Sequence, residues 1–300
     1  GIIFAGVRNG VERVSRMMMP VLVVLSVIIA AYSVTRPGAL EGVKYFLVPN
    51  PANFSWMTVV TAMGQMFYSL SIAMGILVTF GSYMKKDVSI EGSTENVEIF
   101  DTLIAMMAGL MIIPAVFSFS GGDPDTLQAG PALMFITIPK VFESMELGSL
   151  VGVLFFVLVL FAAVTSSIAL TESAVSTFED ELGWSRKKAA AVIGIIMVLL
   201  GSLSALGYGP LSGVTVIGMQ FLDFFDFLTN SVMMPIAAIA TCLLVTSVIG
   251  VEKIEEEVTR NGQPFRRKKV FNFMIRTLCP VFAAIILISS VANALGWISM

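Results

Sequence analysis

Hydroxyl and amide side chains interrupt one long apolar segment in the stretch GQMFYSLSIAMG, from Gly64 to Gly75. Polar groups at membrane depth are costly and therefore point to function. Irregular backbone there is tolerated only where it lines a cavity or is buried in protein. A broken helix would present carbonyl groups that suit a cation and a positive helix end that suits a carboxylate. The alternative is an unbroken helix whose Ser69 and Ser71 bond back to the preceding turn.

A second polar stretch, LFAAVTSSIALTE, covers residues 160–172. Thr165 and Ser166 place two hydroxyls in the middle of an apolar helix, and Ala162 and Ala163 allow a close neighbour. A hard cation such as Na⁺ prefers oxygen ligands of this kind. Small residues and hydroxyls also pack membrane helices together, and that alternative is the commoner use of such a pattern.

Acidic residues form a third group. Asp101 begins the apolar run FDTLIAMMAGL, where a plain interfacial carboxylate is the alternative to a binding role. The i, i+3 spacing of Asp223 and Asp226 places both on one helix face, near the outer end of their segment, where an exposed pair is the alternative. Asp180 lies near the inner surface, where a solvated charge is expected. Glu172 lies deeper and should have a partner.

Other chemistries are excluded or weakened by composition. The chain has no His, which removes imidazole from catalysis, proton relay and metal binding. The two cysteines, Cys242 and Cys279, lie in different apolar segments, so free thiols are expected rather than a loop disulfide. We predict neither a transition-metal site nor an enzyme.

The elements that position these residues are membrane helices. Charged residues make up 13% of the chain, against about 25% in soluble domains, and the mean hydropathy is +0.89. A span needs roughly 20 apolar residues. Seven segments meet that requirement: 17–35, 56–84, 97–119, 149–179, 188–207, 214–249 and 271–293.

Basic residues predict the topology. Of the 18 Lys and Arg residues, only Arg36, Lys44 and Lys140 lie in one alternate set of loops, and the rest lie in the other set. The richer set is predicted to be cytoplasmic, which places the C-terminus outside. The outer loop 120–148 contains the apolar pattern ALMFITIPKVF, interpreted as an interfacial helix, a lid over an outer vestibule, or both.

The opening GIIFAGVRNG is interpreted as the tail of an earlier span entering a loop. Its pattern is not that expected of a signal peptide. We therefore expect that an N-terminal part of the protein lies upstream of this chain.

Together these motifs resemble the neurotransmitter:sodium symporter family, in its bacterial amino-acid branch. The resemblance covers nearly all of residues 8–293. It depends on GQMFYSLSIAMG with GSYMKKD, DTLIAMMAGLMIIPAVF, FAAVTSSIA with FEDELGWSRKK, and the acidic start of segment 214–249.

The resemblance implies an all-α polytopic membrane protein with the inverted-repeat transporter fold, in which two helices are broken at the substrate site. Segment 17–35 then corresponds to the fifth helix, 56–84 to the broken sixth and 271–293 to the eleventh. The first three helices and most of the fourth would be absent. Residues 1–300 would form a single transporter domain of the eleven-helix type.

The resemblance also implies two sodium sites. Ser69 and Asp101 match the first site, where many members have Asn in place of Asp101. Since Asp101 supplies a negative charge itself, chloride is not expected to be required. The second site would use Ala162 through its carbonyl, with Thr165 and Ser166 through their hydroxyls.

The substrate pocket implied by the family is lined by Tyr68, Ser71, Met74, Ser166 and Leu170. Tyr68 matches an aromatic lid, and Met74 replaces the usual Phe, which suggests a wider range of side chains.

Gate residues also follow from the family motifs. Asp226 matches the acidic half of an outer gate. Asp180 and Tyr83 match an inner gate network, and Gln65 lies beside the break, where it would help to connect the gates.

The implied function is sodium-coupled symport of an amino acid by alternating access, in a bacterial cell membrane. Symport of an amine or other small zwitterion, or an ion channel, is the alternative. An intramembrane aspartyl protease needs carboxylates on facing helices, whereas Asp223 and Asp226 share one helix. The expected partners are the lipid bilayer, the solute and a second copy in a homodimer, with no nucleic acid.

Overall fold

The computed structural model describes residues 1–123, 130–260 and 262–297. These residues form helices throughout most of their length. The helices are α1 Arg13–Val34, α2 Ala39–Leu47, α3 Trp56–Ser69, α4 Ile76–Ser82, α5 Ile90–Ser120, α6 Ile138–Glu143, α7 Gly148–Leu182, α8 Arg186–Gly207, α9 Phe221–Ile249, α10 Val251–Thr259 and α11 Lys268–Ala294.

Six helices of the described residues are long and apolar enough to cross a membrane, namely α1 (counted from Gly10), α5, α7, α8, α9 and α11. The seventh predicted segment, 56–84, is divided into α3 and α4. The prediction of a multi-spanning, all-α membrane protein with a broken helix is confirmed. The C-terminal residue, Met300, lies outside the described part of the chain.

Two sequence boundaries were wrong. The opening segment was expected to enter a loop, but Val7–Glu12 is a π-helical segment that continues directly into α1. The segment 214–249 was expected to be helical from its start, but α9 begins only at Phe221, after a turn closed by the backbone pair of Val216 and Met219. The predicted helix was too long because the loop before Phe221 is also apolar in composition.

The chain divides into two compact units. The first comprises residues 1–54 and 98–169. Its core is formed by α1, α5, α6 and the first part of α7, with Ile29, Ala115, Val141 and Phe155 almost fully buried. This core positions the hydroxyls of residues 162–166, which lie on the same helix as Phe155.

Helix α2 and the residues after α6 are held to the rest of the first unit by close contacts. A Cβ atom at Gly42 on α2 would lie 2.9 Å from the Cα of Pro114 on α5, so only glycine allows this approach. The Ser118 hydroxyl donates to the carbonyl of Pro37 at 2.7 Å. The Tyr32 hydroxyl donates to the carbonyl of Glu146, just after α6. The apolar pattern at 132–142 is helical, as predicted.

The second unit comprises residues 55–97 and 170–300. Its core joins α3, α9 and α11 through Val60, Phe67, Met234, Ala238 and Ile286. This core lies beside the break, because Phe67 is in the last turn of α3. Two helices, α2 and the amphipathic α10, were not predicted from the sequence, since neither resembles a membrane span.

Candidate functional site

The break between α3 and α4 has a defined backbone structure. Leu70 ends α3, and Ser71 adopts a left-handed conformation with φ of 54°. The amide of Ile72 donates to the carbonyl of Phe67, and the amide of Ser71 donates to the carbonyl of Tyr68, both at 3.0 Å. This is the Schellman termination of a helix, which normally uses glycine at the left-handed position.

Left-handed residues recur through the break. Ala73 has φ of 62° and Gly75, which precedes α4, has φ of 78°. Each non-glycine residue in this conformation costs roughly 1–2 kcal/mol. Strain of this kind is kept only where the surroundings hold it, and it concentrates at functional sites. The break is thus a specified feature, and the alternative of an unbroken helix is wrong.

Packing holds the break in place. Ile72, Ala73 and Met74 lie against the buried cluster that includes Phe67 and Met234. At the start of α4, a Cβ atom at Gly75 would lie 2.8 Å from the Ser173 hydroxyl oxygen, so the backbone approaches α7 closely there. The apolar contacts offset the strain of the left-handed residues.

The hydroxyl pair on α7 lies in continuous helix. The Thr165 hydroxyl donates to the carbonyls of Phe161 and Ala162, both at 3.0 Å. Ser166 is exposed on the next position. The carbonyl oxygen of Ala162 and the hydroxyl oxygen of Thr165 are therefore adjacent.

The remaining predicted residues are divided between the two units. In the first unit, Asp101 is partly buried on α5. In the second unit, Gln65, Tyr68 and Ser69 are exposed on the last turns of α3, and Leu170 is exposed on α7. Ser71 and Met74 are partly buried within the break.

The strongest polar cluster of the second unit surrounds Glu172. This carboxylate is fully buried and accepts two hydrogen bonds from the Arg186 guanidinium, at 2.5 and 3.0 Å. The Tyr83 hydroxyl donates to the same carboxylate at 2.9 Å, and Arg186 also contacts Glu179 at 3.3 Å. A buried charge requires such pairing.

Glu172 therefore has the partner that was predicted from its depth in the apolar segment. Arg186 is one of the 15 basic residues predicted to be cytoplasmic, and Tyr83 was predicted to act with Asp180. In the structure Tyr83 bonds Glu172, while Asp180 is exposed. A signal existed in the sequence, since a deep glutamate followed by an arginine at the next helix start suggests an ion pair across the turn.

Hydroxyl contacts extend the cluster along α4. The buried Thr79 hydroxyl lies 3.4 Å from the hydroxyls of both Ser173 and Ser176 on α7. Tyr83, at the end of α4, adds the bond to Glu172. The second half of the broken helix, α4, is therefore fixed to the C-terminal part of α7 by polar contacts at its middle and just after its end.

The outer carboxylates have local partners. The Asn230 amide donates to Asp226 at 2.5 Å, and the Tyr208 hydroxyl donates to Asp223 at 3.4 Å. Partial burial and the nearby Asp223 charge raise the pKa of Tyr208. Immediately after Asp226, the helix widens into a π segment, Phe227–Met233.

Comparison with known proteins agrees with this geometry. The model of the sodium:neurotransmitter symporter family matches residues 1–296. An uncharacterized sodium-dependent transporter of Bacillus subtilis, YhdH, is 34% identical over 96% of this chain and 63% of its own length. The sodium- and chloride-dependent taurine transporter of Rattus norvegicus is 27% identical over 75% of this chain and 37% of its own length.

A solved structure shows the same fold. The crystal structure of MhsT in complex with L-phenylalanine matches with a TM-score of 0.82 and 34% identity, covering 96% of this chain and 65% of MhsT. The chain thus spans less than two thirds of the length of these relatives. On its motifs, its broken helix and these matches, the chain belongs to the sodium:neurotransmitter symporter family.

Proposed function

We propose that this chain is part of a sodium-coupled symporter that moves an amino acid across a bacterial cell membrane by alternating access. The observation that most supports this is the break between α3 and α4, with left-handed backbone at Ser71, Ala73 and Gly75. Discontinuous helices at mid-membrane depth are how such transporters expose backbone groups to ions and solute.

The proposed second sodium site uses the Ala162 carbonyl with the hydroxyls of Thr165 and Ser166. Two of these oxygens are 3.0 Å apart. Hard cations bind oxygen at about 2.3–2.6 Å, so one ion can contact both. Ligation would require no carboxylate, which suits a monovalent cation that must also be released. The proposed first site uses Ser69 and Asp101.

The proposed solute site uses Tyr68, Ser71, Met74, Ser166 and Leu170. Its aromatic and aliphatic members would contact a side chain, while the break would accommodate the charged ends of a zwitterion. The structure of MhsT with L-phenylalanine supports an amino acid as the solute class. Asp226 would belong to the outer gate, and Asp180, Tyr83 and Gln65 to the inner gate and its connection.

The driving force sets a scale for the transport. Each charge that enters down the membrane potential supplies about 2.3 kcal/mol per 100 mV. Two coupled sodium ions would supply about 4.6 kcal/mol, which supports on the order of 10³-fold accumulation of a neutral solute. The sodium gradient adds to this value.

The test is uptake of labelled L-phenylalanine into proteoliposomes by the complete protein that contains this chain. Inward sodium should drive accumulation, and potassium should not. Changing Thr165→Ala with Ser166→Ala should abolish the sodium dependence. The matched control is Thr241→Ala, since Thr241 makes the same hydroxyl bond to the carbonyl four residues earlier, on α9. Uptake indifferent to sodium in the unaltered protein would refute symport.

Chloride independence is a separate proposal for the same protein. Asp101 supplies a fixed negative charge at the proposed first sodium site, where a chloride ion would otherwise balance the cation. Uptake should be unchanged when gluconate replaces chloride. Asp101→Asn should lower uptake in gluconate more than in chloride, and a chloride requirement in the unaltered protein would contradict this role.

A second solute class follows from the taurine transporter among the relatives. Taurine and amines lack the α-carboxylate that the break is proposed to accept. Competition distinguishes the two classes, since unlabelled leucine and phenylalanine should inhibit uptake and taurine should not. A single transporter domain, a cell-membrane location with an outer C-terminus, and a homodimer complete the proposal.

A further inference from the structure

The last membrane helix, α11, has an exposed face on which cations extend into an apolar stripe. Phe273 and Val281 are 57% and 52% exposed. A helix of this length and composition crosses the membrane, and its exposed apolar side chains are expected to contact lipid. Lys269 and Arg276 are both exposed, and a seven-residue separation places them two turns apart on one face.

Neighbouring cations on the same helix are neutralised by the protein. Arg267 pairs with Glu95 at 3.4 Å, and Lys268 pairs with Glu255 at 2.5 Å. Glu91 in turn accepts the backbone amides of Arg266 and Arg267, at 3.0 and 2.9 Å. The start of α11 is therefore rich in acidic partners.

Lys269 and Arg276 differ from these neighbouring cations in their partners. Among residues 1–123, 130–260 and 262–297, neither side chain has an ion pair or a hydrogen bond. Both are on the side of α11 where exposed apolar residues lie. Two cations on a lipid-facing surface, without a carboxylate, leave a positive charge for a ligand to neutralise.

The depth of Arg276 identifies the available anion. From Thr277 to Ala294 the helix rises about 27 Å, close to the roughly 30 Å thickness of the hydrocarbon core. Arg276 therefore lies at the cytoplasmic boundary of the hydrocarbon core. Lys269 lies about 10 Å from it toward the cytoplasm, at the level of the lipid headgroups. Phospholipid phosphates occupy this zone.

The backbone is also irregular at this point. The helix widens into a π segment over Met274–Leu278, with Arg276 at its centre. Single π turns inside α-helices are frequently found at functional sites. An unpaired arginine at the edge of the hydrocarbon is costly, and a phosphate oxygen that accepts its hydrogen bonds removes much of that cost.

We propose that Lys269 and Arg276 bind the phosphate headgroup of an anionic phospholipid of the inner leaflet, while Phe273 and Val281 contact its acyl chains. A zwitterionic lipid fits less well, because its ammonium group would be repelled by Lys269. A juxtamembrane cation contributes about 1 kcal/mol to binding an anionic surface. Removing each cation should weaken binding about fivefold, and removing both about 25-fold.

The experiment titrates the purified complete protein in detergent with phosphatidylglycerol or phosphatidylcholine. Bound lipid is counted by native mass spectrometry, and the unfolding temperature is followed in parallel. Phosphatidylglycerol should bind and stabilise, and phosphatidylcholine should do so far more weakly. Lys269→Gln with Arg276→Gln should remove the difference between the lipids.

The matched control is Lys85→Gln with Lys253→Gln, which removes two exposed cytoplasmic cations that are not on α11. The control should keep the preference for phosphatidylglycerol. An equal loss in the control would overturn the proposal in favour of general charge attraction. No lipid preference in the unaltered protein would overturn it as well.

A measurement on the unaltered protein guards against a variant that fails to fold. Lys269 should react with an amine-acylating reagent in phosphatidylcholine vesicles and be protected when phosphatidylglycerol is added. Equal protection in both vesicles would show that protein covers this face, and the lipid site would then be wrong. Arg276→Lys, which keeps the charge, should retain the lipid preference.

Discussion

The two hydroxyl-bearing stretches of this chain, Gly64–Gly75 and Ala162–Ser166, have similar composition and opposite backbone structures. In the first, α3 ends and the chain passes through left-handed residues before α4. In the second, Thr165 bonds back to the preceding turn and α7 continues without interruption. From sequence, the first stretch was interpreted as a broken or an unbroken helix, and the second as a cation site or a packing face of one helix.

Hydroxyl side chains alone therefore do not break a membrane helix. A serine or threonine hydroxyl can donate its hydrogen bond to a carbonyl of the preceding helical turn, as Thr165 does. The break requires backbone that can turn left-handed, an apolar cluster beside it, and polar contacts that hold the detached half. The segment containing Ser71 has all three, through Gly75, Phe67 and the contacts of Thr79 and Tyr83.

The largest effect should come from removing the ion pair that helps to fix α4. Arg186→Ala leaves the fully buried Glu172 carboxylate without its cation, which should cost about 3–5 kcal/mol of stability. The measurement is the midpoint of chemical unfolding in detergent. Arg260→Ala removes an exposed pair with Glu257 and should change stability by at most about 1 kcal/mol. Equal losses would mean that the buried pair does not hold this region.

A smaller effect should follow from Gly75→Ala. The left-handed backbone and the nearby Ser173 oxygen should together destabilise the protein by about 2 kcal/mol. Gly81→Ala in the same half-helix is the control, because open space surrounds that position. The control should stabilise by roughly 0.5–1 kcal/mol. Thermal unfolding of the two variants gives the sign directly, and a destabilising control would invalidate the comparison.

The Ser71→Gly variant tests separately whether Ser71 strains the backbone and whether its side chain binds the solute. Glycine relieves the left-handed conformation of Ser71 and should stabilise the protein by about 1 kcal/mol. If the Ser71 side chain contacts the solute, the same variant should take up phenylalanine less well. Unfolding and uptake are measured on the same preparation. A variant that is more stable and equally active would remove Ser71 from the solute site.

Without sodium, Thr165→Val should have the smallest effect on stability, below about 1 kcal/mol, because the one hydroxyl proton that is lost is shared between two backbone carbonyls of an intact helix. Sodium at 100 times its dissociation constant should stabilise the unaltered protein by about 2.7 kcal/mol and the variant much less. Thr241→Val is the control and should respond to sodium normally. A full sodium response in Thr165→Val would exclude this hydroxyl as a ligand.

Some of the site was accessible from sequence and some was not. The motif around Ser69 and Ser71 located the break, and the depth of Glu172 required a partner. Arg186 was a candidate from its position at the start of the next helix, but Lys187 and Lys188 lie beside it. The turn between α7 and α8 decides which of these side chains comes back along the helix to Glu172. The close approach of Gly75 to Ser173 depends on how α4 packs against α7 and could not be predicted from the sequence.

The amino-acid sequence alone was enough to assign the class of the protein, because apolar length and the distribution of charge follow from the bilayer as solvent. It also indicated where polar groups enter the membrane and where a helix is broken. The left-handed backbone of the break and the side chains that hold it could be seen in the folded molecule only. They depend on packing around Phe67 and on contacts between residues distant in the chain, whose free energies exceed the local preferences of serine and threonine.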